Sequence, residues 1–351
     1  MKRILTAMLS VTLILGLLSG CGQKAPEASG TPKETTTPTA NKTEATYSIK
    51  LAHGMMENTP QHKGALEFKR LVEEKTGGKV EVIIKPAGQL GSDVEIAEML
   101  QTDSIDAAII PTAKLSGFYA PLQILDLPFL FPSKEVTYKV LDNVEFMDML
   151  FKPMRDLGFT GINFWESGFK QFTANSEIKK PDDLKGLKIR VMESPLLIAQ
   201  YKAFGANPVS IDFSETYNSL QQGAADGQEN PLNSIVNMKF YEVQKNMTIS
   251  NHGYLAYALM FSNGAWDKLP EDIQKQIKEA AAEAVTKERE INAEMELEYV
   301  KTIKDSGTAV YELTPEEMEA FAKVVQPVHE QFRSIIGSDV LDKTYELIEA
   351  K

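Results

Sequence analysis

Apolar residues recur along this chain in two alternating periods. Tyr47–Ala52 and Val80–Ile84 alternate like strands, and Asp106–Ile110 reads as a fully buried strand. Between them, Ala65, Phe68, Leu71 and Val72 fall on one helical face after Thr59-Pro60 and before Gly77-Gly78. Ser92 and Glu95 form a capping box for a helix to about Gln101. This strand–helix–strand–helix–strand order predicts a parallel sheet with right-handed crossovers.

Further on, the pattern predicts a helix over 134–157 and strands at 161–165, 169–174, 187–192 and 208–211. Asp212 and Glu215 are expected to cap a helix that ends at Gly223. His252–Ser262 reads as a long alternating strand, and Pro270 opens a helix running to about Asp305. Thr314-Pro315-Glu316-Glu317 caps another, and the tail is helical. The apolar, Pro- and aromatic-rich run Leu122–Phe131 reads as packing under a loop, and the scattered Met residues as core filling. Two α/β units joined more than once, with one long helix, predict two lobes around a cleft.

The first residues follow another logic. Lys2 and Arg3 precede the apolar run Ile4–Leu18, which is too short for an ordinary membrane span. It ends Leu18-Ser19-Gly20-Cys21, similar to a bacterial lipobox. That similarity implies a signal peptide at 1–20, cleavage before Cys21 and a lipid anchor to the membrane on its sulfur. A soluble secreted protein with an incidental Cys is the alternative. Residues 21–46 carry no large apolar side chain and are expected to form a tether spanning roughly 30 Å. Cys21 is the only Cys, so no disulfide forms within the chain.

Composition narrows the function. Hydrophobic content of 43% in 351 residues is enough for real cores. The net charge is −12, or −14 without Lys2 and Arg3, which argues against nucleic acid as a partner. No Gly-x-Gly-x-x-Gly, Gly-x-Ser-x-Gly, His-Glu-x-x-His or paired-Cys motif occurs, and His329-Glu330 lacks a second His. The chain therefore calls for no cofactor or metal and offers no nucleophile–base pair.

Against that acidic background, cations aimed at one place read as an anion site. Arg190 lies in Leu187–Met192, and Lys170 lies in Gly168-Phe169-Lys170-Gln171-Phe172. Asn230, in Asp226-Gly227-Gln228-Glu229-Asn230-Pro231, falls in a Gly/Pro-bounded turn that would present its side chain. Each has a plain alternative: a salt bridge for Arg190, a solvated charge for Lys170, a turn residue for Asn230.

The stretch 169–231 resembles the substrate-binding proteins of tripartite ATP-independent periplasmic (TRAP) transporters. Gly88-Gln89-Leu90-Gly91, Lys239–Lys245, Asn251-His252-Gly253-Tyr254 and Leu269-Pro270-Glu271-Asp272 extend the resemblance over nearly everything from Tyr47 onward. It implies a two-lobe periplasmic-binding-protein-like α/β fold, with lobes at 47–167 plus 256–296 and at 168–255 plus 297–351. It implies that Arg190 pairs with a substrate carboxylate, that Asn230 binds beside it, and that Phe213 covers the ligand. Lys170 stands where many members have Arg, a version associated with the dicarboxylate-type branch. Pro111 stands where sialic acid binders have Glu, which argues against that ligand. Glu193 would repel a second carboxylate or accept from a hydroxyl. Trp165, His53 and Tyr254 are further candidates to line the cleft, with core packing as the alternative for each. The expected role is capture of a small organic acid, foremost a four-carbon dicarboxylate, for TRAP membrane permease subunits. A sugar acid, an aromatic acid, or a sensing lipoprotein serving a receptor kinase stays open.

Overall fold

The computed structural model describes residues 45–350. The expected signal peptide, Cys21 and nearly all of the expected tether lie outside the described residues. Folded structure begins at Thr46, whose N–H donates to Lys79 O at 2.9 Å.

Strands β1 (Tyr47–His53), β2 (Val80–Lys85) and β3 (Ala107–Pro111) alternate with helices α1 (Pro60–Lys75) and α2 (Asp93–Gln101), and the one-turn α3 (Thr112–Leu115) follows. β1 pairs with β2 and with β3, both parallel, as the alternation of elements requires. The Thr59 side chain caps α1, and Ser92 with Glu95 forms the full capping box of α2.

The helix expected over 134–157 is two helices, α4 (Lys134–Leu141) and α5 (Val144–Met154). Asn143 breaks it: its side chain accepts from Phe146 N at 2.9 Å and starts the second helix. Strand β4 (Phe159–Ala174) is continuous where two strands were expected. Register shifts at Gly161/Asn163 and Glu166/Gly168 interrupt its alternation, and these disguise it in the sequence.

The chain continues through β5 (Lys188–Val191), α6 (Pro195–Ala203), β6 (Asn207–Ser210), α7 (Thr216–Gln221), β7 (Gly227–Pro231) and α8 (Leu232–Asn237). Then come β8 (Asn246–Ile249), β9 (Tyr254–Ser262), α9 (Asn263–Asp267), α10 (Glu271–Asp305), β10 (Ala309–Glu312), α11 (Pro315–Ile336) and α12 (Ser338–Glu349). The strands connect in the order β2-β1-β3-β9-β4-β7-β5-β6, with β8 on β4 and β10 on β8. β4 serves a first sheet through β9 and a second through β7 and β8.

β9 does not alternate: all of Tyr254–Ser262 is buried, because β3 and β4 flank it and helices cover it. α10 spans about 50 Å at 1.5 Å per residue and packs on α1, β4 and α8, elements of both sheets. Where β4 changes sheet, Glu166 N–H donates to Glu288 Oε2 of α10 at 3.3 Å, Tyr138 OH donates to Glu166, and Lys134 Nζ lies 3.6 Å from Glu166 Oε1. Burial pushes both carboxyls up, Glu288 far above the usual range. Among the described residues, no helix is long and apolar enough to cross a membrane.

Candidate functional site

Parallel strands present their C-terminal ends on one side of a sheet, and open α/β folds bind ligands there. Here a cavity of about 400 Å³ opens at such ends. Gly54 after β1, and Gly88, Gly91, Ser92 and Asp93 after β2, line it from the first sheet. Asp212, Phe213 and Ser214 after β6 line it from the second.

Arg190, on β5, is 1% exposed. Its Nε donates to Ile211 O at 2.9 Å, while Nη2 is buried without a hydrogen-bond partner. A buried unpaired guanidinium nitrogen is costly. Burial pulls the Arg190 pKa down, against the opposing pull of Glu193, Glu229, Asp212 and Asp93.

Asp93 opens α2 next to its capping Ser92 and is 8% exposed, with Oδ1 unpaired. Burial raises its pKa to about 6; Asp212 and Glu193 push the same way, and Lys114 and Arg190 oppose. Asp212 does not form the expected capping box. Its Oδ1 accepts from Ser214 N at 3.0 Å and Ser214 Oγ at 2.9 Å, and α7 starts from Glu215 without a side-chain cap. Burial pushes its carboxyl up, but the Ser214 bonds, Lys114 and Arg190 hold it below the usual range.

Lys114 was not singled out from the sequence. It sits on α3 of the first sheet and crosses to the second, where Nζ bonds Glu193 and lies 3.6 Å from Asp212 Oδ2. Its side chain is 1% exposed, that of Glu193 44%. Tyr257, also missed, donates to Met55 Sδ at 2.9 Å, and its pKa is raised by burial and by Asp93. Asp93 and Lys114 each follow a strand end, the signal that marked their region but not their chemistry.

For Lys170 the structure corrects the solvated-charge alternative. Its Nζ lies 3.0 Å from Glu229 Oε1 and 3.4 Å from Asp126 Oδ1, all three side chains being almost fully buried. His252 Nε2 meets the other Glu229 oxygen at 3.0 Å. Burial would lower the Lys170 pKa, but Glu229 and Asp126 outweigh it and raise it. The cation is neutralised within the protein rather than presented as a free point charge.

Asn230 is also corrected. It stands in β7, a wholly buried strand, not in a turn, and its Nδ2 donates to Gln228 Oε1. Arg190 pairs with Gln228 across β5 and β7, so Arg190, Gln228 and Asn230 share one face. Phe213 lines the cavity and meets Phe240 edge-on at 6.1 Å.

The structure places the remaining candidates in the interior. Trp165 is fully buried and donates from Nε1 to Asn163 Oδ1 at 2.9 Å. His53 contacts His62 at 3.1 Å, and burial plus His62 lowers its pKa to about 3, so it is neutral. Tyr254 packs edge-on against Phe131 and Phe169. Among the described residues, no group of His, Cys, Asp and Glu could hold a metal ion.

Comparison with known proteins agrees with this architecture. Residues 51–335 match the sequence model of a family described as bacterial extracellular solute-binding protein, family 7 (DctP). The chain is 38% identical over 295 residues to the C4-dicarboxylate-binding periplasmic protein DctP of Rhodobacter capsulatus, covering 84% of this chain and 88% of that protein. A TRAP periplasmic solute-binding protein from Sulfurospirillum deleyianum, solved with bound succinate, superposes with a TM-score of 0.80 at 39% identity, covering 86% of this chain and 99% of that one. The sugar acid-binding protein DctPAm of Advenella mimigardefordensis, solved with galactonate, gives 0.83 at 30% identity, covering 87% and 99%. The two-lobe α/β fold expected from the sequence is the fold of these structures. This chain belongs to the family 7 bacterial extracellular solute-binding proteins, receptors of the TRAP type and not enzymes.

Proposed function

We propose that the chain captures a small organic acid, foremost a four-carbon dicarboxylate such as malate, fumarate or succinate, and delivers it to TRAP membrane permease subunits. One observation carries this reading: Arg190 Nη2 is buried and unpaired, and its guanidinium feels the charges of Asp93 and Asp212, two residues that line the strand-end cavity. A carboxylate would accept from it and offset its desolvation. Asn230 shares its face, and Phe213 forms the cavity wall. Relatives named for C4-dicarboxylates or solved with succinate support the diacid. The galactonate-bound neighbour supports a sugar acid as the second reading.

The lobes are taken as 47–167 with 256–296 and 168–255 with 297–351. The bulge at Glu166/Gly168 and the crossing of α10 support a hinge there. Anchoring through Cys21 belongs to the same reading; unchanged membrane fractionation of Cys21→Ala would remove it. The function is tested by thermal-shift titration with organic acids and their neutral amides. An acid should raise the melting temperature and its amide should not. Equal shifts for both would reject a carboxylate site.

A further inference from the structure

Lys114 and Glu193 form an unequal pair. The Lys114 side chain is 1% exposed and that of Glu193 is 44% exposed. The cation is held inside, on α3 beside the buried β3, and needs a carboxylate to remain there. The anion sits in the short link between β5 and α6, where rotation would take it into water. Asp212 is a second partner at 3.6 Å, but its other oxygen is already held by Ser214.

The charges around the cavity do not balance. Two cations, Lys114 and Arg190, face the acids Asp93, Asp212 and Glu193, with Glu229 also acting on Arg190 and Glu95 on the cavity rim. Adding a dianion to this set without releasing an acid would pile up negative charge in a buried place. Of the two acids on Lys114, Glu193 is the more open to solvent, its side chain 44% exposed against 31% for Asp212, and so the one that can leave.

Resting on the organic-acid reading above, we propose that Glu193 stands in for the solute's second carboxylate on Lys114, so that Lys114 and Arg190 together select a short dicarboxylate. The solute's first carboxylate takes Arg190. Its second displaces Glu193 from Lys114, and Glu193 turns outward. A solute with one carboxylate cannot make this exchange, because an amide or hydroxyl competes poorly with Glu193 for a buried ammonium. The pair also joins the two sheets, since Lys114 follows β3 and Glu193 follows β5. A dicarboxylate would replace a direct link between the sheets with one that passes through the solute.

The test is calorimetry with succinate and succinamate, which differ by one carboxylate, on wild type, Glu193→Gln, Lys114→Gln and Arg190→Ala. Glu193→Gln should raise the succinate-to-succinamate affinity ratio by about three- to tenfold, since the competitor loses its charge. Lys114→Gln should lower that ratio by about thirtyfold or more. Opposite signs in the two variants are the expected result. A ratio unchanged or lowered in Glu193→Gln overturns the proposal, and this exposed substitution serves even if Lys114→Gln does not fold. Preference for galactonate over succinate in wild type also overturns it, while leaving the organic-acid reading intact. If folded Arg190→Ala binds like wild type, the underlying reading fails instead.

Discussion

Lys170 and Arg190 project from opposite faces of one sheet. Arg190 pairs with Gln228 and Lys170 with Pro231, an odd number of residues apart on β7. Their side chains therefore leave that sheet on opposite sides. Lys170, Glu229 and His252 instead make a polar cluster on the far side, with His252 stacked on Phe172 at 3.8 Å.

Lys170→Met should consequently act on stability. It strands Asp126 and Glu229 as buried acids, a loss of about 3–5 kcal/mol. Denaturant unfolding should show it, with the succinate-to-succinamate ratio little changed. A large fall in that ratio with normal stability would restore Lys170 as a ligand contact.

Arg190→Lys and Arg190→Ala should each weaken the best acid ligand by about 3–5 kcal/mol, on the order of a hundredfold to several thousandfold. Lys keeps the charge but loses both the fork and the bond to Ile211 O. Calorimetry on variants with normal circular dichroism checks this. Binding within a few fold of wild type would show that Arg190 is not the anchor.

Asp93 gives a pH signature. Its pKa is raised from 3.8 to about 6, so between these values the folded state holds a proton the unfolded chain has released. Stability contributed by that proton is present at low pH and is lost as pH rises through about 6. Asp93→Asn should thus raise the ligand-free stability near pH 7 by up to about 3 kcal/mol, the gain fading toward pH 4. Melting temperatures of both proteins across pH 4–8 decide it; parallel curves would refute it.

Gly64 lies inside α1, where a Cβ would come within 2.6 Å of Trp165 Cζ3 and 2.7 Å of Glu288 Cβ. Ala is the better helix former by about 1 kcal/mol, but overpacking there costs about 1–3 kcal/mol. Gly64→Ala should therefore melt lower than wild type. A higher melting temperature would mean that α10 yields.

Much of the first sheet was legible because its strands alternate with amphipathic, capped helices. Ser92 with Glu95 and Thr314 with Glu317 both form the boxes their spacing promised, and α10 ends at Asp305 as its pattern indicated. The second sheet was harder. β7 is Gly-Gln-Glu-Asn-Pro, a buried strand with scarcely an apolar side chain, so periodicity had nothing to register. Arg190 was found through its strand and neighbours. Lys114 was not, because its importance lies in a contact with Glu193 made across 79 residues.

The continuity of β4 also bears on how such a gene can change. A codon lost between 159 and 174 would reverse the facing of every side chain beyond it. Gln171 would then occupy the place of Lys170 among Asp126 and Glu229. Splicing one half of this receptor onto a relative's other half must preserve the reading of that single strand to the residue. Variation in solute preference is thus channelled into point changes at strand ends, where Asp93, Lys114, Glu193 and Asp212 can be exchanged without touching the strand that joins the halves.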